Sequence, residues 1–177
     1  MKKKLFSEIP YISEGRMTLR ALTQEDANAL QEFMENEKSF QYLPTFLFEM
    51  QYSDARQAID LLYTECITES IILGVFVEGE FCGLAEFYGY KDDIHKISVG
   101  YRLLEKFWGQ GIATEALRLM VRYLYEETDI EIITSSVMVG NTGSRIVAEK
   151  NGFDLVVHNA EEDWGFPEPV KVDKFIR

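Results

Sequence analysis

The stretch that most constrains this chain is FWGQGIATEAL, Phe107 to Leu117. The preceding run SVGYRL, Ser98 to Leu103, is strand-like, while Ala113, Ala116, Leu117, Met120, Val121 and Leu124 recur at helical spacing. A strand therefore runs into a glycine turn and then a helix. Gly109 and Gly111 carry no Cβ, so the turn is free to adopt positive φ and to bring backbone close to another molecule. The first-turn amides of the helix lack intrahelical acceptors, which makes this end attractive to an anion. The residue order fits two familiar anion frames poorly. No Gly-Lys-Ser/Thr follows the glycines as in a P-loop, and Thr114 stands where a dinucleotide fingerprint requires a small residue.

A second tract repeats the logic. EIITSSVMV, Glu131 to Val139, is β-rich and leads into NTGSRIVAEKNGF, Asn141 to Phe153. Asn141 or Thr142 can cap the ensuing helix, Lys150 suits its last turn, and Gly152 can supply a left-handed exit. Upstream, Arg16 to Leu22 alternates as a first strand, and Thr23 with Asp26 forms a capping arrangement before Ala27, Leu30, Phe33 and Met34. The aromatic segment Lys38 to Met50 contains Pro44 and reads as loop or short helical turns. Ser53 or Asp54 begins another helix carrying Ile59, Leu62, Tyr63 and Cys66. Three strands follow, ILGVFV, FCGLAEFYGY and HKISVGYRLL, with hairpin turns at Glu78-Gly79 and Lys91-Asp92-Asp93. FDLVVH and VKVDKFIR close the chain as strands around an acidic loop from Asn159 to Pro169. The predicted order is β-α-α-β-β-β-α-β-α-β-β.

With 177 residues and 46% hydrophobic content, one domain spanning 1–177 is the simplest organisation. MKKKLF is interrupted by SEIP well short of a signal-peptide core, and no apolar run reaches membrane-spanning length, so a cytoplasmic protein without membrane association is expected. Cys66 and Cys82 lie in apolar surroundings and read as free thiols; His95 and His158 are too scattered to argue for a metal. The net charge of −12 opposes nucleic-acid binding. It suits a cationic ligand, and equally serves solubility.

The glycine tract resembles the [Gln/Arg]-x-x-Gly-x-[Gly/Ala] signature of the GNAT superfamily of N-acetyltransferases, with Trp108, Gly109, Gln110, Gly111, Ile112 and Ala113 at the matching places. Trp108 departs from Gln/Arg, and the aromatic-Gly-x-Gly version is similar to the RimJ/RimL-like branch. The second tract resembles that family's Asn-x-x-[Ala/Ser] and Glu-Lys-x-Gly-Phe pattern through Asn141, Ser144, Glu149, Lys150, Gly152 and Phe153. The resemblance implies an α/β (α+β) GNAT fold: a mixed, mostly antiparallel central sheet splayed between the fourth and fifth strands and flanked by helices. It further implies acetyl-CoA as co-substrate, no metal, and an amine acceptor, either a protein N-terminus or a cationic small molecule. A homodimer is compatible with it.

By the same resemblance, backbone from Trp108 to Thr114 (Trp108, Gly109, Gln110, Gly111, Ile112, Ala113, Thr114) binds pyrophosphate. Tyr101, Leu103 and Leu104 face the pantetheine, and Asn141 and Ser144 orient the coenzyme. Many relatives carry a thiolate-protonating tyrosine where Ala148 stands; in the RimL-like branch the serine at the Ser144 position is the substitute. A capping or solvated serine is the other reading of Ser144. Relatives often have a glutamate where Ser98 stands, which leaves Glu86, Glu162 and Asp163 as candidate bases against a background of 30 acidic residues. Trp164, Phe40, Tyr42, Phe46 and Phe48 are candidate pocket aromatics. Absence of the usual tyrosine and glutamate keeps a second function open, a coenzyme A-binding or regulatory domain without transfer. A nucleotide-binding use of the glycine turn is a third.

Overall fold

Apolar residues at successive positions of β3 (Ser70–Val77) are buried on both sides of the strand, because alternate side chains serve two different cores. Ile71, Leu73 and Val75 join Met17, Phe87, Ile97, Leu117 and Met120 in one core, whereas Ile72 and Phe76 join Leu30, Phe33, Ile59 and Leu62 in the other. The structure, a computed structural model, describes residues 1–65 and 70–177. Helices thus cover both faces of one sheet. α1 (Ala27–Glu35) and α2 (Ala55–Glu65) lie against one face, and α3 (Ile112–Glu127) and α4 (Thr142–Lys150) against the other.

The sheet has eight strands in the order β1-β2-β3-β4-β5-β6-β8-β7, with β1 (Ile12–Glu14), β2 (Met17–Arg20), β4 (Glu80–Lys91), β5 (Lys96–Leu103), β6 (Ile132–Met138), β7 (Asp154–Glu162) and β8 (Val170–Ile176). All pairings are antiparallel except β5 with β6, which is parallel and holds only for Lys96–Ser98 against Ile132–Thr134. Beyond that point β5 continues to Leu103 paired with β4 alone, β6 stays paired with β8 on its far edge, and the facing edges of β5 and β6 are left open. The hydroxyls of Ser98 and Thr134, 2.8 Å apart, mark the crotch where the strands part.

The splayed pair is the one the sequence counts as fourth and fifth; they become β5 and β6 because β1 precedes them. That three-residue strand lay outside the expected elements, being too short to show a period, and Gly15 at φ 57° makes its hairpin with β2. A second difference lies near the C-terminus. The strand expected to stop at His158 runs on to Glu162 across a bulge where Asn159 adopts φ 57°, so the loop shortens to 163–169. The aromatic segment holds two 3₁₀ turns, Glu37–Phe40 and Phe48–Gln51, as short helical turns predict. Cys82 is a buried free thiol pushed up by its burial; Cys66 lies outside the described residues.

Thr23 and Asp26 form the expected capping box, with the Asp26 carboxylate accepting from the Thr23 amide at 2.8 Å. Arg20 adds a bidentate pair to Asp26 at 2.9 and 3.1 Å. Burial alone would raise the Asp26 carboxyl, but the bonds from Arg20 and Thr23 outweigh it and hold the group below its ordinary 3.8. A depressed carboxylate contributes stability that is present above the ordinary value and is lost as pH falls toward the folded one. Asp26→Asn should therefore lower stability at neutral pH by about 2 kcal/mol, a cap plus a charged hydrogen bond. Chemical denaturation should show this gap narrowing below pH 3.8; a gap constant with pH would contradict the assignment.

Candidate active site

The glycine turn adopts the backbone that its sequence allows. Gly109 and Gly111 have φ of 73° and 76°, and Gly111 is the N-cap of α3. A Cβ at either would meet no protein atom within 4 Å, so conformation rather than crowding requires glycine there, and the adjacent space is open to a ligand. The first helical bond runs from the Glu115 amide to the Gly111 carbonyl at 3.1 Å, which leaves the amides of Ile112, Ala113 and Thr114 without helical acceptors.

These residues line a cavity of about 590 Å³ that runs along the free edge of β5. Tyr101 and Leu103 contribute from β5, Asn141 and Ser144 from the start of α4, and Lys38 and Lys150 add positive charge. Trp108, Gly109, Gly111, Ile112, Ala113 and Thr114, the residues expected to contact the anion, all line this space. Two predicted residues do not line it. Gln110 sits at the exposed apex with its amide turned to the Lys106 carbonyl at 3.1 Å, and Leu104 is buried with its N–H donated to Cys82 of β4 at 2.9 Å. Trp108 is half-exposed and anchors the turn by donating its indole N–H to the Leu103 carbonyl at 3.0 Å.

Asn141 caps α4 by accepting the Ser144 amide at 3.2 Å. The cap role thus falls to Asn141, and the Ser144 hydroxyl is the acceptor of a 3.0 Å hydrogen bond from Tyr101. A second cavity of about 720 Å³ opens on the other side of the splay. Its walls include Glu86, Tyr88, Glu162, Asp163 and Trp164, with Tyr42, Phe46 and Phe48 from the aromatic segment. Tyr42, Leu43, Tyr101, Arg102, Asn141 and Ser144 border both cavities, so the two meet through the gap between β5 and β6. The candidate aromatic Phe40 packs against Phe33 in the core instead.

The carboxylates differ in their ties. Glu86 accepts from Arg102 Nη1 at 2.8 Å, and Arg102 in turn makes two bonds to Glu49, at 2.5 and 2.8 Å. Burial by itself would drive Arg102 down; Glu49 and Glu86 more than offset it and leave it above its ordinary value. Glu162 is held by Trp164 at 2.8 Å and Lys174 at 2.9 Å, contacts that outweigh its burial and keep it below the ordinary glutamate value. Asp163 is exposed, with one oxygen accepting the Gly165 amide at 2.9 Å. Two features escaped the sequence reading, the Tyr101–Ser144 bond and the buried Glu49–Arg102–Glu86 group. Arg102 stood in the open as a charge on an otherwise apolar strand, but nothing local named its partners.

A glycine turn with free helix-start amides, a strand edge left open and a second cavity across the gap are arranged as a group-transfer site would need. It suits a long phosphorylated carrier on one side and an acceptor on the other, and the positive-φ amides with Lys38 and Lys150 fit the carrier's phosphates. A family profile described as an acetyltransferase (GNAT) domain matches residues 16–154, and the chain belongs to that family. It uses acetyl-CoA, as its family does. Among similar proteins, a putative ribosomal N-acetyltransferase, YdaF of Bacillus subtilis, is 29% identical over 147 residues, 77% of either chain. The solved structure of RimL, a ribosomal-protein acetyltransferase, in complex with coenzyme A superposes with a TM-score of 0.79 at 20% identity, covering 95% of this chain and 97% of that one. Spermidine N-acetyltransferase from Vibrio cholerae, bound to coenzyme A and spermine, gives 0.75 at 20% identity over 93% and 96%.

Placing a β-branched side chain at Gly111 puts φ 76° under strain of roughly 1–3 kcal/mol and fills the ligand's approach. Gly111→Val should weaken coenzyme A binding by about tenfold or more, measured by calorimetry on the folded variant. Undiminished affinity would remove the turn from the coenzyme site.

Proposed function

We propose that this acetyltransferase acetylates the primary amine of a protein N-terminus, with the amine entering from the Glu86 side and the thioester from the glycine-turn side. The observation that carries this reading is the meeting of the two cavities at Tyr101 and Ser144. The cavity opposite the coenzyme is lined by exposed Phe46 and Val156, which suit the side chains that follow an N-terminal amine. A cytoplasmic location belongs to the same proposal; among the described residues no helix is long and apolar enough to cross a membrane.

In this reading the backbone of Gly109 to Thr114 holds the pyrophosphate and the free edge of β5 pairs with pantetheine amides. Bound acetyl-CoA supplies an activated acyl group on a good leaving thiolate. The amine must arrive neutral, and Glu86 is the best-placed carboxylate to take its proton, directly or through water. It stands opposite Gly100 in the β4–β5 register, beside the gap, and Arg102 fixes one of its oxygens. Glu162 and Asp163 lie across the same cavity and are the alternatives. Ser144 donates a hydrogen bond to the departing sulfur.

A small cationic amine is the second reading, favoured by the net charge of −12 through long-range attraction. A thiol-release assay with N-terminal peptides and polyamines separates the two. Peptides should give the higher kcat/KM, and acceptors with added positive charge should lose rate as salt rises. If polyamines prevail, the acceptor assignment falls; coenzyme A binding without turnover on any amine would leave a regulatory domain. Ser144→Ala should lower kcat by roughly 10²-fold, the loss expected for one donor aimed at developing charge, with little change in KM for acetyl-CoA. Full turnover in that variant would exclude Ser144 from the chemistry.

A further inference from the structure

The Ser144 hydroxyl is oriented by a neighbour for which the chemistry so far has no use. Tyr101 lies on β5 beyond the end of its pairing with β6, and its phenol donates to Ser144 Oγ of α4 at 3.0 Å. No other hydrogen bond involves that phenol among the described residues. Burial pushes Tyr101 up to about 12, with the Ser144 contact opposing only in part, so it stays a protonated donor at any physiological pH.

A serine hydroxyl has one hydrogen and two acceptor positions. Tyr101 occupies one acceptor position, and the Asn141 side chain is already engaged by the Ser144 amide. The Ser144 hydrogen must therefore point away from Tyr101. Without such a partner, a serine in a helix commonly turns its hydrogen back to the carbonyl three or four residues earlier, here Asn141 or Gly140. Both Tyr101 and Ser144 border the two cavities at their junction.

We propose that Tyr101 is a positioning residue, whose hydroxyl fixes the Ser144 rotor so that Ser144 Oγ–H is aimed at the sulfur of coenzyme A. This rests on the acetyl-transfer reading above. In the reaction the amine nitrogen bonds to the acetyl carbon, the carbon–sulfur bond breaks, and its electron pair passes to sulfur. The surplus nitrogen proton leaves to the cleft carboxylate or water, and water returns one proton to sulfur. Neither hydroxyl is consumed. Tyr101 acts by keeping one donor in place while charge grows on sulfur.

The test compares Tyr101→Phe, Ser144→Ala and the double variant; Phe keeps the ring that packs in the wedge and removes only the donor. Tyr101→Phe should lower kcat by about tenfold, with KM for acetyl-CoA unchanged, and the double variant should be no worse than Ser144→Ala alone. A second readout needs no turnover. A donor aimed at sulfur stabilises the thiolate, so coenzyme A should bind more tightly as pH rises toward the ordinary thiol pKa of about 8.5, and this rise should flatten in both single variants. Independent, multiplying losses in kcat, or a pH dependence of binding unchanged in Tyr101→Phe, would reduce Tyr101 to a space-filling residue. Failure of the unaltered protein to bind coenzyme A at any pH would overturn the acetyl-transfer reading itself.

Discussion

The parting of β5 from β6 after three rungs of pairing is the constraint on which the rest of the molecule depends. A strand edge left without a neighbour carries backbone donors and acceptors that must find partners. β5 from Val99 to Leu103 and β6 beyond Thr134 each keep a free edge toward the gap, while β4 and β8 pair with their far edges. Everything of chemical interest borders that gap: the glycine turn that continues β5, the capped start of α4 that continues β6, and the phenol of Tyr101 between them.

The wedge persists because its walls are fastened from outside. Arg102, on β5, is buried and grips Glu49 of the aromatic segment with two bonds while holding Glu86 of β4 with a third. Taking these charges out of water costs several kcal/mol per ion, which their mutual attraction offsets only with such saturated geometry. The opposite wall is pinned where Thr45 donates its amide to the Trp164 carbonyl at 2.8 Å. Gly165 beside it has no room for a side chain, since a Cβ there would stand 1.8 Å from the Thr45 hydroxyl. The acceptor cavity is thereby enclosed by two segments distant in sequence that touch each other.

This arrangement changes what the net charge of −12 means. Within the acceptor cavity Glu86 is paired with Arg102, Glu162 with Lys174, and Lys96 is drawn below its ordinary value by burial, Lys91 and Lys174. Local fields there are those of paired and partly desolvated groups, not of the surface as a whole. Long-range attraction and local recognition are separate questions in this protein.

By itself the sequence determined the features that depend on a few adjacent dihedrals. The positive φ of Gly109, Gly111 and Gly152, the Thr23–Asp26 box and the Asn141 cap were legible because each is decided within one turn of chain. So was the order of the major elements, and with it the resemblance that pointed to acetyl transfer. Tertiary structure decided the rest. The three-residue β1 shows no period of its own and exists by pairing with β2, while β7 extends past His158 because β8 lies alongside it. Tyr101 finds Ser144 43 residues away, and Arg102 finds Glu49 53 residues away. Such partners are selected by where strands part and loops close, which are properties of packed elements; a buried hydroxyl or charge announces in sequence only that it needs a partner, never which one.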